Sequence, residues 1–568
     1  MITQYDTMET ENFALTENGD KAFSTSGNFN LDFFTRITRN AQLKDYVDAF
    51  QKAWIENRET AIRVVMNMRD IRGGKGEKLI PAVLMICLKL TAEPNVYEAV
   101  LRKMVEYGCW KDLLRIIELE TRYHREQRNL QLIACPIEIT LFAEQLKKDS
   151  NIILVAEQGD TNTKAAISLC AKWAPSENTH YDHHPMKAAT KIMGVMNLKP
   201  KEYRQMLTKL RNHLGILEML MSTRQYDKID FSKLPSMAFI KMKRAFDRDN
   251  NADGVESDNR KKLHLSYQEY LRKLADGKTK VNIKGIQPHE LVSTYLDRHS
   301  NTELDPLVEG QWQALKNRIT ETGSFRDVTA VVDVSGSMTG QPMQVSIALG
   351  ILVAQCTKCP YHGKVITFHE TPNWHVLTGT TLKEQVECMK AAPWGSTTNL
   401  RKVFDLILQQ AKSASLTKEE MVKTLFIFTD MQFDTCAGRD PLETTFEYAK
   451  REFSNAGYVL PRIVCWNLRT STNKIMPIQG EEKDFAMLSG FSAELLKCIL
   501  TAQEFTPNAM MQHVLEPYIV PHEVTTSTND IIFTTDELDK LEIAITKSTI
   551  KKAFKSSAST DESDVVGL

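Results

Sequence analysis

The chain carries two hydrophobic periods, and the change from one to the other near residue 325 limits the folds open to it. Before that point apolar residues return every three or four positions. Leu43, Tyr46, Val47, Phe50 and Trp54 make one helical stripe. Val96, Val100, Leu101 and Met104 make another, with Asn95 as its expected N-cap and Gly108 as its expected stop. Similar stretches cover 111–120, 137–149, 163–173, 201–221 and 262–275. Helices in series without a clean repeat length predict an irregular α-solenoid of HEAT-like helical repeats.

Beyond residue 325 short strand-like runs alternate with amphipathic stretches. Strands are expected at Val328–Val332, 364–368, 374–377, Thr424–Thr429 and 462–468, and helices at 342–356, Leu400–Ser413, 445–453 and 492–503. Strands spaced by helices build βαβ units, so this half reads as a doubly wound α/β domain with a mostly parallel sheet. The fold class is therefore α + α/β. After it, Thr534 and Glu537 form a capping box for a last helix through Leu538, Leu541, Ile545 and Phe554, with Lys547, Lys551, Lys552 and Lys555 at its basic end. The polar stretch beyond reads as disordered. The resulting division is an acidic segment 1–30, a helical module 31–324, an α/β domain 325–515, and a C-terminal helix and tail 516–568.

Charge and cysteine usage narrow the classes further. Lys plus Arg is 71 and Asp plus Glu is 72, a net charge of -1, which excludes a wholly basic nucleic-acid coat but allows local basic patches. The longest apolar run, 79–88, contains Pro81 and falls short of the ~20 residues a membrane span needs. The acidic start lacks a secretory pattern, and ten scattered cysteines fit a reducing, cytoplasmic setting. Cys356 and Cys359 form a lone CxxC without companion ligands, which argues against zinc.

The sharpest chemical signal lies in the α/β half. The first strand runs into Asp333-Val334-Ser335-Gly336-Ser337, a DxSxS motif, and the strand 424–429 runs into Asp430. Thr398 sits in the loop Gly395-Ser396-Thr397-Thr398-Asn399, with Thr397 as a competitor. These residues offer carboxylate and hydroxyl oxygens, the donors that a hard cation such as Mg²⁺ or Mn²⁺ takes. Residues that end two strands of a doubly wound sheet meet beyond the carboxyl edge, where such folds bind ligands. The alternative is a helix cap made by Ser335 and Ser337 beside an ordinary turn aspartate.

With those residues in order, this half resembles the von Willebrand factor type A domain and its metal-ion-dependent adhesion site. The resemblance implies a metal held by Ser335, Ser337 and Thr398, with Asp333 and Asp430 acting directly or through water. It also implies a partner protein whose carboxylate completes the metal's shell. Three stretches of the helical half, Glu17-Asn18-Gly19, Arg69-Asp70-Ile71-Arg72-Gly73-Gly74-Lys75-Gly76-Glu77 and Lys172-Trp173-Ala174-Pro175, resemble a family without a settled function. Thr429-Asp430-Met431-Gln432-Phe433-Asp434 is the fourth such stretch. That family joins a helical module to a type A domain and occurs in eukaryotes and large DNA viruses. The same layout is similar, more distantly, to the Ro autoantigen proteins with a TROVE module, which bind small structured RNAs.

The Ro resemblance directs attention to basic clusters. Arg69, Arg72 and Lys75 with Gly73, Gly74 and Gly76 could present charge and N–H groups to phosphate, although the run is not a nucleotide P-loop. It reads equally as a tight inter-helix turn with solvated basic residues. Residues 201–250 hold eleven Lys or Arg against six Asp or Glu, with Lys241, Lys243, Arg244 and Arg248 concentrated at the end. A solvated helix face explains them as well. The run 249–254 opens like an EF-hand but has Arg260 where the bidentate Glu belongs, and His180, His183 and His184 lack companion ligands. No nucleophile has an identifiable base, so the expectation is a binding protein and not an enzyme. Two functions stand: a Ro-like RNA-binding protein, or a protein-binding scaffold using the adhesion site, such as a viral particle component.

Overall fold

Among the described residues, helices predominate from Phe29 to Thr320, and a six-stranded sheet follows them. This architecture is seen in a computed structural model. It describes residues 13–36, 42–126, 136–158, 165–183, 185–250, 257–296, 303–321, 323, 325–367, 371–392, 398–434, 443–469, 475–527 and 534–546. No helix among them is long and apolar enough to cross a membrane.

The first stripe forms as its spacing dictates. Tyr46, Val47, Phe50 and Trp54 are fully buried in the helix Leu43–Arg69, which kinks at Asn57. The Asn57 side chain accepts from the Thr60 N–H at 2.9 Å and so starts the second limb. Local chemistry corrects three expectations. Helix Pro94–Tyr107 begins with Pro94 and takes Glu93 as its N-cap, so Asn95 lies inside the first turn. The stretch 201–221 is two helices, Pro200–Leu214 and Leu217–Ser222, because Gly215 adopts φ +64° between them. In 163–173, only Cys170–Trp173 is helical among the described residues.

A short antiparallel hairpin, β1 (Phe13–Leu15) and β2 (Lys21–Phe23), precedes the helices. The large sheet is built from β3 (Val328–Val332), β4 (Lys364–Thr367), β5 (Asn373–Val376), β6 (Thr424–Thr429), β7 (Arg462–Asn467) and β8 (Phe485–Ser489). Its order is β5-β4-β3-β6-β7-β8, parallel throughout except for β5, which runs antiparallel at one edge. Strand order thus reverses between β3 and β6. Residues 328–332 and 485–489 are buried without alternation, as strands covered on both faces are. Gly350 lets the helix Gln341–Cys356 lie close on β3, since a Cβ there would stand 2.3 Å from Val332 Cγ2.

β8 lies outside the expected strands. Its sequence, Phe-Ala-Met-Leu-Ser, has no β-branched residue and carries three good helix formers, so burial between neighbours overrides propensity. β5 starts and ends one residue earlier than expected.

One apolar core runs through both halves, from Leu31 to Ile545. A smaller core gathers Phe231, Phe239, Phe246, Tyr267 and Tyr270 between helices Ser236–Asp247 and Asp258–Ala275. The two ends of the described chain also join the main body. In the hairpin, Phe23 exchanges both backbone hydrogen bonds with Met476. The capping box at Thr534 and Glu537 is present, and its helix, Thr535–Thr546, packs on helix Lys111–Glu126. Residues 13–30 thus pack on the main body. Phe554 and the terminal lysines lie outside the described residues.

Candidate metal centre

Parallel pairing of β3 with β6 sets Val332 beside Phe428, so the residues that follow each strand emerge side by side at the switch in strand order. The Asp333 N–H donates to Phe428 O at 3.1 Å, which fixes the first aspartate against the second strand. Asp333 is fully buried and Asp430 is 2% exposed. Asp333 accepts from the Ser335 N–H at 2.9 Å and from the Thr429 hydroxyl at 2.6 Å. Ser335 Oγ and Ser337 Oγ lie 3.1 Å apart, and the Ser337 hydroxyl also hydrogen-bonds Asp430. Ser337 is exposed, so the cluster opens to solvent on that side.

Two buried carboxylates this close destabilise each other's charge. Burial, helped by the Asp430 charge, pushes the Asp333 carboxyl up to about 6 against the pull of the Thr429 and Ser335 hydrogen bonds. Burial also raises Asp430, opposed by Ser337, by the Gln432 N–H and by Arg469, with the Glu17 charge adding to the rise. Arg469 lies 4.0 Å from Asp430 Oδ2 and donates to Ser337 O at 2.5 Å, a cation in reach that sequence reading passed over.

Thr398 is buried and bonds to the loop that follows Asp430. Its hydroxyl donates to Gln432 O at 2.6 Å, its N–H donates to Asp434 Oδ2 at 2.6 Å, and its Oγ1 lies 3.2 Å from Asp434 Oδ1. Asp333, Ser335, Ser337 and Asp430 are thus joined directly, whereas Thr398 joins them through 432–434. Thr397 lies outside the described residues.

A further layer comes from the opposite end of the sequence. Thr16 donates its hydroxyl to Phe433 O at 2.7 Å, the Glu17 N–H donates to Gln432 Oε1 at 2.5 Å, and Asn18 Nδ2 donates to Gln432 O at 2.9 Å and to Thr398 Oγ1 at 3.3 Å. Gly19 bridges Asp434. The signal was visible in the Glu17-Asn18-Gly19 stretch and in the stretch from Thr429 to Asp434, but nothing local in either says that they meet.

The donors fit a hard divalent cation: carboxylate and hydroxyl oxygens, two of them on acids whose mutual repulsion a cation would relieve. Among the described residues no group of three or more His, Cys, Asp or Glu side chains is gathered as a metal site, so the hydroxyls would be indispensable.

The basic candidates separate sharply. Arg69 is 1% exposed and pairs with Asp112 at 2.6 Å, and Lys75 is 5% exposed with its ammonium on Phe34 O and, at 2.7 Å, on Ser489 Oγ. Burial pushes Lys75 down to about 7. Neither side chain reaches a surface, so both are withdrawn as phosphate contacts, and the solvated-turn reading fails for them too. The turn itself is tight: a Cβ on Gly74 would stand 1.9 Å from Asn67 O, and Tyr518 OH donates to Asp70 Oδ2 at 3.1 Å. Arg72 is exposed and donates to Glu106 O and Tyr107 O. Lys243 pairs with Asp305, while Lys241, Arg244 and Arg248 are exposed. His180 faces Glu118 at 3.8 Å; His184 and residues 251–256 lie outside the described residues.

Residues 327–533 match the family described as Domain of unknown function (DUF7788), and residues 16–136 and 137–325 match that described as Domain of unknown function (DUF2828). The Uncharacterized protein L728 of Acanthamoeba polyphaga mimivirus is 54% identical over 560 residues, covering 97% of this chain and 96% of the relative. With more than half its length matched and a near full-length viral relative, the chain belongs to the DUF2828 family.

Proposed function

We propose that the chain is a non-catalytic, metal-dependent binding protein, made of a TROVE-like module of HEAT-like helical repeats and a von Willebrand factor type A domain. The observation that carries this reading is the Asp333–Asp430 pair, set with Ser335 and Ser337 at the reversal of strand order. Ser335, Ser337 and Thr398 would hold Mg²⁺ or Mn²⁺, with Asp333 and Asp430 acting directly or through water. The cation would supply positive charge to receive a carboxylate from a protein partner. The chain's own residues keep that position in order. Thr429 and the Ser335 N–H hold Asp333 in one orientation, and the Gln432 N–H does the same for Asp430 at 3.2 Å. Ser337, the exposed member, faces the arriving group. A protein-binding scaffold, such as a viral particle component, follows. Free, buried Cys87, Cys170, Cys356 and Cys465 support work in a reducing, cytoplasmic compartment.

The second reading is Ro-like binding of small structured RNA, and the exposed Lys241, Arg244 and Arg248 favour it. One experiment tests the main reading. Mn²⁺ should bind to the full chain, and a variant with Asp333, Ser335 and Asp430 all changed to alanine should lose it. Unchanged Mn²⁺ titration in that variant would sink the reading.

A further inference from the structure

At the sheet edge, β5 and the helix that follows it bring a thiol and an imidazole together. Gln385 Nε2 donates to Gly379 O at 3.2 Å, and Thr381 with Glu384 forms a capping box, so the helix Leu382–Lys390 starts in a tight turn after its strand. Leu382, Gln385, Val386 and Met389 are buried, and Cys388 beside them is half-buried, as is His375 on β5. Cys388 Sγ lies 3.3 Å from His375 Nε2 and 3.4 Å from Val376 O. The thiol thus has one hydrogen and two acceptors in reach, and of these only the imidazole can carry the proton away. A separation of 13 residues is no motif, so sequence reading found no base for this thiol.

The surroundings leave the pair to itself. Burial lowers the His375 imidazole, with a backbone hydrogen bond of Cys388 opposing, so the ring is neutral and able to accept at neutral pH. On the helix, Lys383 faces Glu387 at 3.7 Å, Glu384 accepts from the Thr380 and Thr381 N–H groups, and Lys390 donates to Tyr295 O. From the elements packed around it, Glu309 accepts from the Leu382 and Lys383 N–H groups, Glu290 accepts from the Gln287 N–H, and Lys364 stands opposite Val376 on β4. The other described cysteines differ. Cys87, Cys170, Cys356 and Cys465 are buried, and burial pushes the Cys498 thiol up to about 11. Cys109 meets Arg69 Nη2 at 3.5 Å, and Cys359 is exposed with no histidine bonded to it among the described residues.

We propose that Cys388 and His375 form a reversible thiol-modification site that takes a small disulfide. His375 Nε2 accepts the thiol proton, the Cys388 thiolate attacks one sulfur of the disulfide, and that S–S bond breaks as a mixed disulfide forms on Cys388. The other half leaves as a thiolate and recovers the proton from the imidazolium. Cys388 is oxidised and one half of the disulfide is reduced to a thiol, so excess small thiol runs the step backwards. The site stands independently of the metal reading.

The test incubates the full chain with 2-hydroxyethyl disulfide, an uncharged probe, and follows the mixed disulfide on each cysteine by peptide mass spectrometry, from about pH 5 to about pH 9. At neutral pH Cys388 should react several-fold faster than Cys359, although it is the less exposed of the two. Its rate should stay nearly level across neutral pH and fall in acid as His375 protonates. His375→Gln, which keeps a hydrogen-bonding side chain but takes no proton, should slow Cys388 several-fold and make its rate climb with pH as a simple thiol does. Cys359 should react alike in both proteins, which shows the domain otherwise unaltered. A Cys388 rate no greater than that of Cys359 in the parent, or the same Cys388 rate and pH profile in His375→Gln, would overturn the assignment.

Discussion

The turn at 69–77 and the loops that end β3 and β6 look alike as sequence, since each packs charge beside small residues. The structure uses them in opposite ways. In the turn every formal charge but Arg72 is drawn inward, and Arg69, Lys75 and Asp70 tie the helix Leu43–Arg69 to Asp112, Ser489 and Tyr518. At the strand ends two like charges are drawn together, with Arg469 as a cation beside Asp430. In the Arg69–Asp112 pair each charge offsets the other, so removing one member is costly, whereas two like charges together favour a cation between them. Motif density alone does not distinguish them; the sign of the neighbour does.

The largest effect should come from breaking the paired side. Arg69→Ala leaves Asp112 buried with Arg115 as its remaining ionic partner, and loss of one member of a buried pair costs about 3–5 kcal/mol. Urea unfolding should record a drop of that order, and an unchanged midpoint would show the pair to be idle.

Lys75→Met sharpens the contrast through pH. The lysine's folded value of about 7 lies below its ordinary 10.5, so the unfolded chain binds more protons between those values. Parent stability should rise with pH across that window, by up to about 1.4 kcal/mol per unit, with the full penalty present below pH 7. The methionine variant should lose that slope. Parallel stability curves for the two proteins would contradict the assignment.

Smaller again is Asp333→Asn in metal-free protein. Removing one of two repelling buried charges should raise the unfolding temperature by a few degrees while abolishing stabilisation by added Mn²⁺. A variant less stable than the parent without metal would mean that the Thr429 and Ser335 hydrogen bonds outweigh the repulsion.

The smallest effect belongs to the surface. Neutralising Lys241, Arg244 and Arg248 should leave stability within about 0.5 kcal/mol. If the chain binds structured RNA, the same change should weaken it and flatten its salt dependence in gel shifts, with or without chelator. An unaltered salt slope removes the cluster from the RNA reading.

Sequence periodicity located most helices and five strands because burial on one or both faces repeats along the chain, as at Tyr46, Phe50 and Trp54 or 328–332. It failed for β8, where a helix-forming composition is overruled by neighbouring strands. Nor does periodicity show that Phe23 pairs with Met476 or that Gly19 bridges Asp434, because those partners lie in another part of the chain. For the candidate centre, spacing named Asp333, Ser335, Ser337, Thr398 and Asp430. Spacing could not anticipate that Thr398 engages through Gln432 and Asp434, or that Arg469 and Glu17 attend Asp430. Long-range proximity of this kind leaves no periodic trace. The buried state of Lys75 was hidden for a related reason, since its acceptors, Phe34 O and Ser489 Oγ, come from separate regions.

The hydrogen bond from Thr16 to Phe433 joins residues 417 positions apart. Its consequence concerns time. On a ribosome the hairpin emerges long before its docking surface around Phe433 has been synthesised. The hairpin must wait with its pairing groups unmet, and closing so long a loop belongs to the late, slow steps of folding. The centre would thus be assembled last, after the helical half is already in place, and a truncated chain would present strand ends with no cover.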